Sequence, residues 1–503
     1  MKRLPGCREQ KGAVMDDWGR GKKFLSWCAR HSLLTAAVLL LLGGFVLYAR
    51  SFGHQWTYDD IVVLVQNPDI RSWPEFFTDS YPGRPLRELS FMLDYQFFGL
   101  NPAGYHGQSI FWHGLSAVLL FILTLRLGGN RFAAWCAALL FLAHPLAVEV
   151  VANISHRKDS LALAFALLAL LAYVEVFRDR DRDRDRDRDR DRDRRRRWGW
   201  FCCAVALAVT AYYGKQNAVM IWPLFLAYEA LFVPREARLL LRFPRLLGVA
   251  TVMAIVVAGV LRWSLVERLL QQRQWEIRGI LSKFGYLGDG GEPVYLATIF
   301  KAMLLMLQKI VMPTGLAVEY DMAVPDGWTV GLIGAALVFF AGYATALWWT
   351  FRHLRGACFG LLWFGLLWLP TSGLWPLSYL LADRYLYAPL VGVFIVVGMV
   401  MGILRERWSR PLTILLSAVV LVLAILTWQQ NMVWRSPLSL WSQAVKVSPE
   451  SSYALGFLGM VYIEQRQPRL ALPLLRKAAQ NRFNPEAKRA LDYVERQLRF
   501  SPR

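Results

Sequence analysis

Long apolar blocks constrain this chain more than any other feature of its sequence. About eleven of them are long enough to cross the hydrocarbon core of a bilayer as helices. They lie near residues 33–49, 107–126, 132–151, 159–177, 198–214, 218–233, 246–265, 328–350, 357–374, 386–404 and 411–429. With 55% hydrophobic residues among 503, the chain also carries more apolar surface than a soluble core needs. The pattern predicts an all-α, polytopic membrane protein whose apolar helices contact the lipid bilayer.

Basic residues between these blocks predict the orientation of the chain. The formal charge is +21, and much of it lies in the N-terminal tail, residues 1–32, and in short loops at 126–131, 178–197, 234–245, 352–355 and 405–410. An excess of Lys and Arg in cytoplasmic loops is the orientation signal of membrane proteins, so nucleic acid is not the expected partner. We expect an uncleaved signal-anchor in the inner membrane, with the N-terminus in the cytoplasm and the C-terminus in the periplasm.

The same reasoning divides the chain. We predict a transmembrane domain over 33–429 with outer loops at 50–106 and 266–327, followed by a periplasmic region over 430–503. The alternating Arg-Asp tract at 178–197 has the composition of a solvated cytoplasmic spacer. The apolar run 294–311 contains two lysines, and we expect it to lie in the membrane interface rather than to cross the membrane.

The C-terminal region has a soluble composition and one weak repeat pattern. The residues near the offsets of a tetratricopeptide repeat are Leu458, Gly459, Tyr462, Ala471, Ala478 and Pro485. One helix pair cannot bury both of its faces, so it should pack on the membrane domain or on a partner. An arbitrary helical hairpin is the alternative interpretation of this pattern.

Two adjacent carboxylates follow the first apolar block by about ten residues. Asp59 and Asp60 should therefore lie near the membrane–water boundary, where partial desolvation raises proton affinity and suits a carboxylate to base chemistry. The alternative is a helix N-cap, because Asp commonly precedes an apolar run such as 61–65.

Cations on the same predicted outer face could bind a phosphate. Arg384 can hold two phosphate oxygens in its planar fork, and the flanking Tyr385 and Tyr387 suit a membrane interface. Lys215 and Arg157 are further phosphate-binding candidates, while a helix-end anchor is the alternative role for Arg384. Other polar side chains predicted on this face, as acceptor or donor contacts, are Arg84, His144, Glu149 and Asp159.

Metal and cofactor sites are not expected. The histidines show no metal-ligand spacing such as H-x-x-x-H, and the six cysteines form no disulfide framework in the predicted outer loops. We therefore predict no cofactor and no divalent metal.

Several motifs together resemble a known family, and the resemblance covers nearly the whole chain. The motifs are Tyr58-Asp59-Asp60 with Asn67-Pro68, Arg84-Pro85-Leu86, His144-Pro145 with Glu149 and Arg157-Lys158-Asp159, Arg384-Tyr385-Leu386-Tyr387, and the 434–441 segment that leads into the repeat. In order and spacing they are similar to the transmembrane and tetratricopeptide repeat-containing O-mannosyltransferases and to bacterial relatives of these. The resemblance implies a type C glycosyltransferase fold, a polyprenyl-phosphate sugar donor and a catalytic acid in the first outer loop. Eukaryotic members carry many repeats, whereas this chain has about one.

Our leading hypothesis is an inverting transfer of a sugar, mannose by the resemblance, from polyprenyl phosphate to a hydroxyl acceptor. Asp59 or Asp60 is the base, and Arg384 with Lys215 or Arg157 holds the phosphate. The acceptor can be a Ser or Thr side chain of a protein, a glycan or a lipid. A non-enzymatic scaffold that recruits partners through the repeat, and a transporter that relays protons through outer carboxylates, are the alternatives.

Overall fold

The fold is built from helices. The computed structural model describes residues 32–79, 84–178, 190–240, 276–277, 279–281, 291–377, 379–480 and 484–500, and in these ranges it contains no strand. The helices are α1 Ser32–Leu47, α2 Trp73–Asp79, α3 Pro85–Phe98, α4 Pro102–Arg126, α5 Arg131–Ala143, α6 Val148–Ala152, α7 Arg157–Arg178, α8 Arg190–Gly214, α9 Ile221–Phe232, α10 Gly291–Val311, α11 Val330–His353, α12 Arg355–Trp368, α13 Tyr387–Val433, α14 Pro437–Val447, α15 Ser452–Glu464, α16 Pro468–Ala479 and α17 Pro485–Phe500.

Several of these helices can span a membrane. Five single helices in the described ranges are long and apolar enough, and α5 with α6 forms a sixth candidate that is bent by 54° at His144. The prediction of an all-α polytopic membrane protein is thus confirmed. The predicted span at 246–265 lies outside the described residues, so the total of about eleven spans stays a prediction.

Helix α13 contains two of the predicted spans. Its 47 residues correspond to about 70 Å of helix, more than twice the hydrocarbon thickness. The backbone is non-helical at Trp408, and Pro411 follows. Gly398 lies against Ala133 near the start of α5, whereas Thr427 donates a hydrogen bond to the carbonyl of Ala143 at its end, at 2.7 Å. The two halves therefore run in opposite directions along α5, and the chain reverses at the predicted 405–410 loop.

The described helices separate basic loops from the candidate site residues. At one end, which we call the basic end, Arg126 pairs with Glu175 at 2.8 Å and the guanidinium of Arg405 lies 4.5 Å from the ring centroid of Phe132. At the other, the site end, Lys215 contacts Asp159 and Arg384 contacts Glu149. Because α7 joins Asp159 to Glu175, the two groups lie a helix length apart.

Helix α10 has contacts at the site end near both of its termini. Tyr295, in its first turns, donates a hydrogen bond to the carbonyl of Gly373 at 2.7 Å. The carbonyl of Ile310, in its last turn, lies 3.0 Å from His144 Nε2. Both partners belong to loops of the site end, so these contacts favour a helix that lies along that end over one that runs to the basic end. Its length and composition alone would permit a span.

The C-terminal helices pack on the membrane domain. Asp321 donates its backbone N–H to Ser448 Oγ at 2.9 Å, and Trp441 lies 6.1 Å from Tyr58 between ring centroids. Within the region, α15 and α16 form an antiparallel pair in which Gly459 admits the side chain of Leu475. One helix pair with a closing helix is present here, and its assignment as a tetratricopeptide repeat stays a prediction.

Shortening the Arg-Asp tract should leave the protein functional. Residues 179–189 lie outside the described ranges, and the flanking Arg178 and Arg197 contact Glu175, Phe177 and Ala237 at the basic end. We expect a variant that replaces 179–189 with a short Gly/Ser linker to insert and to act normally, because flanking arginines still satisfy the charge rule. The measurements are the membrane yield and the sugar-transfer activity expected from the resemblance, for the variant and for the unmodified protein. Loss of that activity in a well-inserted variant would contradict the prediction.

Candidate active site

The two adjacent aspartates occupy different environments. Asp59 is exposed, whereas the side chain of Asp60 is fully buried. Asp60 Oδ1 accepts a hydrogen bond from the N–H of Ser155 at 2.7 Å, and Oδ2 accepts one from the N–H of Thr57 at 3.3 Å. Asp60 makes no side-chain capping bond to the following helical turn, so the N-cap interpretation is wrong for this residue. It instead fastens the first outer loop to the segment before α7.

Burial changes the acidity of Asp60. Desolvation is the largest cause and raises its pKa to about 7, although the hydrogen bonds from Ser155 and Thr57 oppose the shift. Asp59 lies near two phenols, those of Tyr58 and Tyr379. Burial raises the pKa of Tyr379, and the negative charge of Asp59 adds to that shift. The two carboxylates can thus serve different purposes, with only Asp59 open to a ligand.

The pH dependence of stability should report on Asp60. The folded protein holds its proton up to about pH 7, while the unfolded chain releases it near pH 3.8. Stability of the unmodified protein should therefore fall as the pH rises between these values, by on the order of a few kcal/mol from this group. The Asp60→Asn variant has no carboxyl proton to lose at this position. Its stability relative to the unmodified protein should therefore increase as the pH rises over the same range. Thermal unfolding in detergent from pH 4 to 8 tests the difference, and parallel curves would contradict it.

Arg384 lies in a short helical turn, Asp383–Tyr385, immediately before α13. Close helix packing fixes this turn, because a Cβ added to Gly392 would lie only 2.3 Å from the carbonyl oxygen of Gly360. The Arg384 guanidinium pairs with Glu149, and its backbone N–H donates to Glu149 Oε2 at 2.8 Å. The cation is also 5.1 Å from the ring centroid of Tyr379 and 5.2 Å from that of Tyr385.

A second buried acid lies next to this ion pair. Tyr320 donates its hydroxyl hydrogen to Asp383 Oδ1 at 2.6 Å. Burial, and after it the negative charge of Glu149, raises the pKa of Asp383 to about 8. Glu149, and not Asp383, forms the ion pair with Arg384.

Lys215 is the second cation of the site. It follows the end of α8 and forms an ion pair with Asp159, in the first turn of α7, with 16% and 7% of the two side chains exposed. Asp159 Oδ2 is buried without a hydrogen-bond partner. Lys215 and Arg384 are thus each paired with a carboxylate.

A cleft joins the two cations. Its polar lining includes Asp159, Lys215, Asn217, Arg384 and Tyr385, and the rest of its lining is mostly apolar. The apolar lining consists of Ala162, Leu163, Ala166, Ala218, Leu367, Ala388 and Pro389. The empty volume of the cleft, with the part open to the surroundings included, is about 450 Å³. This combination can hold an anionic group beside an apolar chain.

Other predicted site residues lie outside the cleft. Arg157 is fully buried, and its guanidinium donates to Asp94 at 2.5 Å, to Gln108 at 2.7 Å and to the Tyr105 carbonyl at 2.7 Å. The structure therefore gives Arg157 a role in anchoring the first outer loop, not the phosphate role predicted from sequence. Arg84 precedes α3 and is half-buried.

Two more residues are placed in the core. Tyr387 is fully buried, with its hydroxyl 3.0 Å from His113 Nδ1, so the expectation that it faces the membrane interface is wrong. His144 is buried at the break between α5 and α6, against the carbonyl of Ile310. Among the described residues, no group of three or more His, Cys, Asp or Glu side chains could hold a metal ion.

The site also contains residues that sequence reasoning missed. Tyr379 belongs to no recognisable sequence motif. Its hydroxyl nevertheless accepts a hydrogen bond from Tyr58 at 2.9 Å, and its ring contacts Arg384. The apolar wall of the cleft has the same composition as the spans around it. Only the position of Tyr379 five residues before Arg384 could have indicated its role.

The fold and the site define a polytopic membrane protein with an acid-and-cation cleft at one end. Sequence comparison finds similarity to protein O-mannosyl-transferases. Mouse TMTC1 is 35% identical over 178 residues, which is 31% of this chain and 19% of the relative. Human TMTC4 is 30% identical over 163 residues, 27% of this chain and 22% of the relative. These findings confirm the resemblance drawn from the motifs, over a matched region that spans about a fifth of the length of the relatives.

Other comparisons add less. No protein-family model matches the chain. A crystal structure of ArnT from Cupriavidus metallidurans bound to undecaprenyl phosphate aligns with 91% of this chain and 77% of that chain, at a TM-score of 0.41 and 15% identity.

Proposed function

We propose that this protein is a glycosyltransferase that moves a sugar from a polyprenyl phosphate to a hydroxyl acceptor. The cleft is the observation that carries the proposal, because two cations lie beside an apolar wall, and the exposed Asp59 lies near Tyr379, whose ring contacts Arg384. The phosphate fits near Arg384 and Lys215, and the first isoprene units fit against the alanine-rich wall. Mannose is the sugar that the names of the relatives suggest.

The transfer is an in-line displacement. The acceptor hydroxyl oxygen attacks the anomeric carbon on the face opposite the phosphate, and the carbon–oxygen bond to the phosphate breaks, so the configuration inverts. Asp59 takes the hydroxyl proton, and polyprenyl phosphate leaves with its charge held by Arg384 and Lys215. Arg forms two charged hydrogen bonds to a phosphate, which is the charge compensation that a divalent metal gives to nucleotide leaving groups.

The two ion pairs must rearrange for this to happen. In the structure Glu149 and Asp159 pair with the cations that the phosphate would use. The donor phosphate replaces these carboxylates, and the tyrosines around Arg384 keep the guanidinium in position. The acceptor is a protein Ser or Thr in this proposal, with a glycan or a lipid as the alternatives.

The direct test is turnover. Purified protein is incubated with polyprenyl-phosphate mannose labelled in the sugar, and free polyprenyl phosphate is measured together with the label in protein, glycan and lipid fractions of a membrane extract. We expect lipid phosphate to appear in step with labelled acceptor, and the fraction that gains label identifies the acceptor class. An intact donor in the presence of every fraction would contradict the proposal and favour a scaffold.

The orientation is proposed from the loop charges and tested separately. A reporter fused after Arg503 should read as outside the cytoplasm, and one inserted within 179–189 as inside, because the basic end carries the flanking arginines. The reverse pattern would turn the cleft to the cytoplasm.

A further inference from the structure

The residue before the acidic pair has an unusual backbone conformation. Tyr58 has a φ of +53°, in the left-handed region that bulky side chains rarely adopt. Such a conformation persists only where the surroundings enforce it, and it occurs most often at functional sites. Here it reverses the chain so that Asp59 is exposed while Asp60 turns inward.

Aromatic side chains of the C-terminal helices surround Tyr58. Its ring centroid lies 6.4 Å from that of Trp434 and 6.1 Å from that of Trp441. Trp441 is itself stacked on Phe457 of α15, at 4.4 Å with an interplanar angle of 10°. On the other side, the Tyr58 hydroxyl donates to the Tyr379 hydroxyl, whose ring contacts Arg384. A continuous set of contacts thus runs from α15 to the cleft.

Other site segments rest on the same cluster. Val148 and Val151 of α6, the helix that carries Glu149, belong to the same buried hydrophobic cluster as Trp441 and Leu458. Val318, two residues before the Tyr320 that donates to Asp383, belongs to the cluster as well. The C-terminal helices therefore share one hydrophobic cluster with segments that position site residues.

We propose that Tyr58 and Trp441 are positioning residues for the transfer, and that α14 and α15 form part of the catalytic unit by holding the turn that presents Asp59. This inference rests on the proposed function. Without the Trp441 ring, Tyr58 loses its support on one side and relaxes toward negative φ. Asp59 then moves away from Tyr379 and the site end, while the donor-binding cations stay in place.

Matched variants test the inference by kinetics. Trp441→Ala should lower turnover at saturating donor by about tenfold or more, with the donor KM within about threefold of the unmodified value. Trp441→Phe keeps an aromatic ring against Tyr58 and should restore most of the turnover. The control is Leu475→Ala, which removes a buried side chain of α16 that does not belong to the cluster around Tyr58.

Three kinetic outcomes would overturn the proposal. One is unchanged turnover in a folded Trp441→Ala protein. Another is an equal loss in Leu475→Ala, since that would trace the effect to general stability of the C-terminal helices. The third is a loss that appears in the donor KM alone.

A second measurement is independent of activity. A nitroxide spin label is attached at Asp59→Cys in a protein whose six native cysteines are replaced by alanine. We expect the label to become more mobile with Trp441→Ala but not with Leu475→Ala. Unchanged mobility overturns the positioning inference whatever the activity. Increased mobility of the label, together with no sugar transfer by the protein that retains Asp59, leaves the positioning intact and rejects the proposed function.

Discussion

Asp59→Asn should lower turnover by about 10²–10⁴-fold, the usual loss on removing a general base. Asp59 is the exposed member of the acidic pair and lies beside Tyr58 and Tyr379, while Asp60 is enclosed by backbone donors. Because an exposed Asp→Asn change alters little packing, thermal unfolding should stay near that of the unmodified protein. Turnover of the purified variant at saturating donor is the measurement.

A matched control separates base chemistry from the loss of one surface charge. Asp326, an exposed aspartate just before α11, does not line the cleft, so Asp326→Asn should act normally. Near-normal transfer by Asp59→Asn would place the base elsewhere. Loss in Asp60→Asn alone would then return that role to the buried carboxyl.

Arg384→Lys should weaken donor use by at least about tenfold, equivalent to roughly 1.4 kcal/mol. Lys keeps the charge opposite Glu149 but loses the planar fork that can bind two phosphate oxygens. Arg384→Ala should lose more, and it also leaves Glu149 buried without its cation, which lowers stability. The dependence of turnover on donor concentration, measured for both variants at a temperature where each is folded, gives the effect.

The control for this prediction is Arg352→Lys, at the opposite end of the molecule, which should match the unmodified protein. Arg352 is exposed, and its guanidinium lies 4.5 Å from the ring centroid of Trp348. Equal kinetics in Arg384→Lys and the unmodified protein would leave Arg384 as an anchor of its turn. Lys215 would then be the remaining cation of the cleft for the phosphate.

Sequence reasoning found much of the fold because bilayer thickness and loop charge act locally. The apolar blocks at 107–126 and 159–177 correspond closely to α4 and α7, and the reversal inside α13 falls in the loop predicted at 405–410. Arg384 and Lys215 were also found, since a charge near an apolar block is costly enough to demand a reason.

The failures have a common physical cause. Arg157 and Tyr387 carry the same local signals as Arg384 and Tyr385, but their partners lie far along the chain. Arg157 bonds to Asp94, 63 residues away, and Tyr387 contacts His113, 274 residues away. The tertiary arrangement of α3, α4 and α7 decides whether Arg157 lies in the cleft or is buried against Asp94, and no local sequence pattern shows that arrangement.

The paired charges of the cleft have a consequence for selectivity. The charges of Arg384 with Glu149 and of Lys215 with Asp159 sum to zero, so these two ion pairs offer a dissolved anion no net attraction. An incoming phosphate must displace two carboxylates that are already in contact. A lipid-linked phosphate can offset that cost by burying its chain on the alanine-rich wall, at about 25 cal/mol for each Å² covered. Under the proposed function, discrimination between membrane-borne and water-borne phosphates would arise from the zero net charge of these two ion pairs, without any need for a tighter phosphate pocket.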